Sequence, residues 1–144
     1  MNVKRLWFRY WDPLGAASTL VTDWALPLNC NTEQGMEDSL YAFLQARLPG
    51  FRITRQYAHD RLKADIVIEE VVAIELKYNL TSASEYKRLI GQLEGYAQWG
   101  IRLVLVLVGS TDPDISRRVA EHLQRRFDST FPKAKLAFRP KSAV

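Results

Sequence analysis

Asp65, Glu75 and Lys77 are the residues of this sequence best suited to chemistry. Two carboxylates and an ammonium can hold a hard cation and serve a water beside it. All three lie in β-prone stretches, "KADIVIEE" and "VVAIELKY", joined too closely for a crossover helix. These stretches are expected to form an antiparallel hairpin folding near Glu69–Glu70. The turn has neither Gly nor Asn, which leaves its type open. Strand side chains alternate, so Glu75 and Lys77 share one face while Ile74 and Leu76 share the other. Folding around Glu70 sets Asp65 opposite Glu75 and aligns Ile66 and Ile68 with Ile74 and Leu76. One register serves the apolar packing and the charged cluster together, and a one-residue slip would destroy both. Carboxylates about 5 Å apart repel unless something positive lies between them. Lys77 alone could neutralise them, as in a charge cluster on a half-exposed sheet. Magnesium could equally do so, since it takes one or two carboxylates plus waters and substrate phosphates. Lys77 would then orient or deprotonate a water, or stabilise charge developing on phosphorus.

The surrounding elements must position this hairpin. A helix is predicted from Thr32, with Met36, Leu40, Phe43, Leu44 and Leu48 as its apolar stripe, until Pro49 and Gly50 stop it. "FRITRQYA" follows as a strand. A capping box, Ser82 to Glu85, opens a second helix that runs to about Gln98 and ends at Gly100. "RLVLVLVG" is apolar throughout, as in a strand covered on both faces. Asp112 and Pro113 start a third helix with Ile115, Val119 and Leu123 buried. "AKLAF" is a last strand. The first ~30 residues read as β: "VKRLWFRYW" as a strand, "WDPLG" as a turn and "STLVTDWALPLN" as a second strand broken by Pro27. The expected class is α/β with a mixed sheet, in a single domain over 1–144: an N-terminal β extension (1–31), a core (32–127), and a C-terminal strand with a basic tail (128–144).

Asp65 followed by Glu75-Leu76-Lys77 in a hairpin resembles the PD-(D/E)XK nuclease superfamily, with Ala64 where the family name has proline. The order of elements fits that family's restriction-endonuclease-like αβββαβ core, a mixed sheet flanked by helices. An acid on the preceding helix matches the extra metal-binding Glu of many members. Glu37 is the best match, and Glu33, one turn earlier, competes with it. Gln92 and Tyr96, in "GQLEGY", resemble the QxxxY motif of the RecB-like branches. The resemblance covers about Thr32 to Phe127. It implies a Mg2+- or Mn2+-dependent nuclease acting on DNA, in repair, recombination or defence against foreign DNA. It implies Asp65, Glu75, Glu37 and the Leu76 carbonyl as metal ligands and Lys77 as the residue serving water. Gln92 and Tyr96 would reach substrate or the metal site from one helix face. By position alone, Lys87 and Arg88 on the same helix could contact phosphates or equally form a solvated face. The alternative on the same fold is a non-catalytic module that binds nucleic acid or protein.

Composition constrains the rest. The 144 residues are 47% hydrophobic and 25% charged, as in a globular protein. The net charge of +4 leans mildly towards polyanions. One cysteine, Cys30, excludes an internal disulfide and a cysteine-based zinc site, which fits a cytoplasmic setting. The N-terminus does not read as a signal peptide, and no apolar run approaches a membrane span. DNA is the expected partner, with RNA and a homodimer left open. Trp7, Tyr10 and Trp11, among Lys4, Arg5 and Arg9, suit either a stacking platform for bases or a core or dimer contact. Arg117, Arg118, Arg125, Arg126, Lys133, Lys135, Arg139 and Lys141 could track a phosphate backbone or form a solvated face.

Overall fold

A computed structural model describes residues 2–127 and 133–141. The rest of the predicted basic tail lies outside the described residues. The N-terminal β expectation is overturned: this segment is two helices. Helix α1 is Val3–Tyr10, and the Asn2 side chain accepts from the Lys4 and Arg5 amides at its start. Helix α2 is Pro13–Asp23. The stretch "WDPLG" is therefore a helix start, with the Asp12 carboxylate accepting from the Gly15 amide at 3.0 Å and Pro13 at the first position. Leu14, Ala17 and Val21 are buried at three- and four-residue spacing, a helical period that the aromatic alternation upstream obscures.

Helix α3, Glu33–Arg47, starts as expected on Thr32, whose hydroxyl accepts from the Gly35 amide at 3.0 Å. Three strands follow, β1 (Ile53–His59), β2 (Leu62–Ile68) and β3 (Val72–Tyr78). Helix α4, Ala83–Trp99, carries the capping box, and Gly100 at φ +82° closes it in a left-handed conformation that only glycine adopts without cost. Strand β4 is Arg102–Val108. Helix α5, Pro113–Phe127, has its first amides bonded to Asp112, and β5 is Ala134–Arg139.

The result is an α/β fold with one five-stranded mixed sheet in the order β1-β2-β3-β4-β5. The first three strands are antiparallel, while β3, β4 and β5 run parallel through helical crossovers. Both faces of β3 and β4 are covered, which is why "RLVLVLV" shows no alternation. One face packs Phe8, Val21, Met36 and Leu40 of α1–α3 against Ile66, Ile74 and Val106. The other packs Leu89, Leu93 and Tyr96 of α4 and Val119 of α5 against Val67, Ala73 and Leu105. Among the described residues no helix is long and apolar enough to cross a membrane.

The β2–β3 turn closes where the sequence places it. Glu69 and Glu70 both have positive φ, +51° and +58°, and the Val71 amide donates to the Ile68 carbonyl at 3.1 Å. Positive φ at both central residues is the primed form of a tight turn, built here without Gly or Asn, and the pairing of Ile68 with Val72 leaves Val71 as an extra residue in the loop. Glu69 is 3% exposed and its carboxylate receives the Arg5 Nε at 3.0 Å and the Arg52 amide. Helix α1 is thereby tied to the turn.

Candidate active site

The register agrees with the sequence: Ile66 pairs with Ile74, Val67 with Ala73 and Ile68 with Val72. Pairing stops there, and the next residue on each strand is Asp65 or Glu75. On the other side of β2, pairing with β1 runs through Arg55–Ile66 and resumes at Tyr57–Ala64, skipping Gln56 and Asp65. Gln56 has φ +48°, a costly conformation for a residue with a Cβ. In a regular strand Ala64 and Ile66 would share a face. Here Ala64 belongs to the core under α4 and Ile66 to the core under α3. Asp65 stands at the point where β2 changes face, and so meets acids from both layers.

Those acids are Glu75 and Glu37, 1% and 4% exposed. Asp65 accepts from the Leu76 amide at 2.8 Å and lies within interaction reach of Glu75, Lys77 and Glu37. Glu75 holds Lys77 Nζ at 3.2 Å on one oxygen and the Tyr96 hydroxyl at 2.5 Å on the other. Glu37 receives the Arg55 guanidinium through Nε, at 3.0 Å, and Nη2, and the Gln56 amide at 2.9 Å. Arg55 is shared with Asp38. Three buried or half-buried carboxylates therefore face two cations. The imbalance shows in protonation. Burial, and then the charge of Glu75, push Asp65 up to about 7 from an ordinary 3.8. Burial also raises Glu37, which Arg55 partly offsets. The Tyr96 hydroxyl is held well above its usual range by burial and by Glu75, so it is a donor to that carboxylate at any physiological pH.

Hard oxygen donors with excess negative charge suit a hard divalent cation. Among the described residues no three His, Cys, Asp or Glu side chains form a ready metal cage. The fit is thus to an ion taking Asp65 and Glu75 and completing its shell with main chain, water or substrate. Glu37 already accepts from Arg55 on one oxygen and from Gln56 on the other, so the ion would compete with or share those contacts there.

Comparison with known proteins assigns no family. No family model matches the chain, and no curated protein matches it. The calcium complex of SfsA from Pyrococcus furiosus aligns with 73% of this chain at a TM-score of 0.48 and 16% identity. The chain spans 56% of that structure's length. Its bound calcium is a property of SfsA.

The structure sorts the remaining residues named from sequence. Glu37 points to Asp65, whereas Glu33 accepts from the Tyr78 amide at 3.0 Å, at the far end of β3. Tyr96 reaches the acid cluster and is fully buried, so it positions Glu75 and presents no surface to a strand. Gln92 lines a groove beside α4, as does Arg88, while the exposed Lys87 does not. Several of the C-terminal basic residues already have partners within the chain. Arg117 and Arg118 pair with Asp114, Arg126 with Glu94, Arg139 binds the Val21 and Trp24 carbonyls, and Lys141 binds the Cys30 carbonyl. Trp7, Tyr10 and Trp11 are exposed on α1, the two tryptophans stacked 4.8 Å apart. Sequence reasoning missed Arg55 and Gln56. Arg55 lies between Thr54 and Gln56, a polar run that reads as the solvated part of a strand, and a left-handed glutamine leaves no trace in sequence.

Proposed function

We propose that this chain is a nuclease of the PD-(D/E)XK type that hydrolyses DNA phosphodiester bonds with Mg2+ or Mn2+. One observation carries the reading. Asp65, Glu75 and Glu37, distant in sequence and borne on three elements, converge with Lys77 where β2 and β3 part. Burying acids together is costly, and chains keep such clusters where the charge is used. In this reading Asp65, Glu75 and the Leu76 carbonyl would hold the cation, joined by Glu37 alongside or in place of its contacts with Arg55 and Gln56. The cation would supply Lewis acidity and a water of lowered pKa. Lys77, half-buried against Glu75, orients that water or meets charge developing on the phosphate. Tyr96 fixes the Glu75 carboxylate from behind. Gln56 and Arg55 fix Glu37. The test is cleavage of DNA with either metal and none in excess EDTA. Cleavage persisting in chelator would end the metal-dependent reading.

A second reading has its own support. Lys77 and Arg55 already engage Glu75 and Glu37, and no ready cage is formed among the described residues. A binding module on this fold would keep those pairs closed. It would bind DNA and cut no substrate with either metal, and Lys77→Ala would change only affinity.

A further inference from the structure

A groove of about 470 Å³ runs between the β1–β2 turn and α4. Its floor is the face of α4 bearing Gly91 and Gly95. A Cβ at Gly91 would meet nothing within 4 Å, and one at Gly95 would touch Leu62 at 3.4 Å. Helix interiors disfavour glycine by roughly 1 kcal/mol against alanine. Two glycines one turn apart thus keep this face open at a cost to the helix. The wall is aromatic: Trp99 stacks on His59 at 4.4 Å and on Tyr57 at 5.5 Å. The rim is cationic, with exposed Arg61 on the turn and exposed Arg88 on α4. Among the described residues neither arginine enters an ion pair, although other exposed arginines of the chain do. The rim's acid, Asp60, is 92% exposed and approaches the His59 ring at 3.8 Å. Gln92 also lines the groove, and its amide oxygen is buried with no hydrogen-bond partner. A buried acceptor left without a donor is costly, so a donor entering the groove, from water or from a ligand, is favoured there.

We propose that this groove receives an unpaired nucleotide of the substrate strand, its base against the glycine floor and its phosphates between Arg61 and Arg88. The inference rests on the nuclease reading and deepens it. Each element answers one part of a nucleotide. Every base carries a ring or exocyclic N–H that can satisfy the Gln92 oxygen. A flat ring fits a floor without side chains, and a base edge meets the Trp99–His59 wall. The volume is that of a small-molecule site, far too narrow for a duplex. Gln92 is one turn before Tyr96, the residue bonded to Glu75, so a strand held here leads along α4 towards the acid cluster.

The experiment measures binding of short labelled single strands, DNA and RNA, by fluorescence anisotropy in excess EDTA, where no cleavage can occur. Gly91→Leu fills the floor from a position with open space above it. It is expected to weaken binding roughly tenfold or more, the scale of one lost base contact. Gly91→Ala separates a filled groove from a changed helix, and should bind close to wild type and melt no lower. The Arg61→Ala/Arg88→Ala double variant changes only exposed side chains and reads the groove even if Gly91→Leu misfolds. Its log–log salt slope should drop by about 1.4, two phosphate contacts on a single strand. The losses should be larger for single strands than for a blunt duplex, and the DNA and RNA arms say which strand is preferred. Wild-type affinity and salt slope in both Gly91→Leu and the double variant would overturn the proposal, as would equal losses on blunt duplex. The two readings fail separately. A chain that cuts nothing but loses strand binding through these variants keeps the groove and loses the nuclease. A chain that cuts with Mg2+ equally well in all variants keeps the nuclease and loses the groove.

Discussion

The β2–β3 hairpin buries acids at both ends, and the ends are built differently. At the turn, Glu69 is one carboxylate with donors arranged around it: the Arg5 guanidinium and the Arg52 amide. At the open end, Asp65, Glu75 and Glu37 share Lys77, Arg55 and a tyrosine hydroxyl. Burial alone does not separate them, since Glu69, Glu37 and Glu75 are all nearly inaccessible. Charge balance does. A structural acid is matched locally, because an unmatched buried charge is expensive. The open end is left with one acid too many, and burial together with the charge of Glu75 raises Asp65 to about 7. An arrangement that must take up a proton to be at rest is also one that can take up a cation.

The largest expected difference between the ends is in rate. Lys77→Ala leaves every carboxylate in place and removes the group proposed to serve the nucleophile. Cleavage with Mg2+ should fall by about 10²–10⁴-fold, while DNA affinity in chelator weakens less than about tenfold. Arg5→Ala at the turn should leave the rate per folded molecule unchanged. A rate loss in Arg5→Ala, measured where circular dichroism shows full folding, would mean that the two ends are not independent.

Metal should tell the ends apart next. An ion bound by the folded chain stabilises it by about 2.7 kcal/mol at a hundredfold excess over its Kd, roughly 5–10 °C in Tm at this size. Mn2+ should raise the melting temperature of wild type and of Glu69→Gln, but not of Glu75→Gln. Equal shifts in all three would place any bound ion elsewhere.

Much of this was legible in sequence, for identifiable reasons. The hairpin register follows from alternation, because only one pairing buries Ile66, Ile68, Ile74 and Leu76 together. The starts of α3, α4 and α5 follow from Thr32, Ser82 and Asp112, whose capping side chains act within a few residues. The N-terminal helices were lost because "VKRLWFRYW" is rich in β-prone aromatic residues, and because Asp-Pro opens turns and helices alike. The face change at Asp65 was hidden, since φ +48° at Gln56 arises from tertiary fit. Tyr96 was nearer to view: it continues the buried stripe of Leu89 and Leu93, so its spacing already pointed inward. The basic C-terminal third stayed open between two readings, because the partners of Arg139 and Lys141 are backbone carbonyls more than a hundred residues away and leave no local trace.

The pH dependence of stability should come from the open end. Between 3.8 and about 7 the folded chain keeps the Asp65 proton that the unfolded chain has released. More protons bound in the folded state means that stability falls as pH rises through this window, at most by about 1.4 kcal/mol per unit from this group. Below 3.8 both states are protonated and above about 7 both are ionised, so the slope from Asp65 vanishes outside the window. Urea denaturation at pH 5, 6 and 7 without metal should show this slope in wild type and lose it in Asp65→Asn. An identical slope in both proteins would remove Asp65 as its source.

The smallest expected effect comes from one change made at each end. Glu70 and Gln56 both hold left-handed backbone, at φ +58° and +48°. Glycine adopts that conformation without the clash of a Cβ. At Glu70 the side chain makes one exposed pair with Arg52 at 3.1 Å, of a kind worth little. Glu70→Gly should therefore stabilise by about 0.5 kcal/mol, a degree or two in Tm, with cleavage unchanged. At Gln56 the same relief removes the amide that donates to Glu37. Gln56→Gly should gain less stability, or none, and should cut more slowly because Glu37 is then held by Arg55 alone. The two melting curves and the two rates together test whether strain at the open end is tied to the acids. Equal gains in stability with wild-type cleavage in both would make the break in β2 an accident of packing. The contrast between the ends would then rest on charge alone.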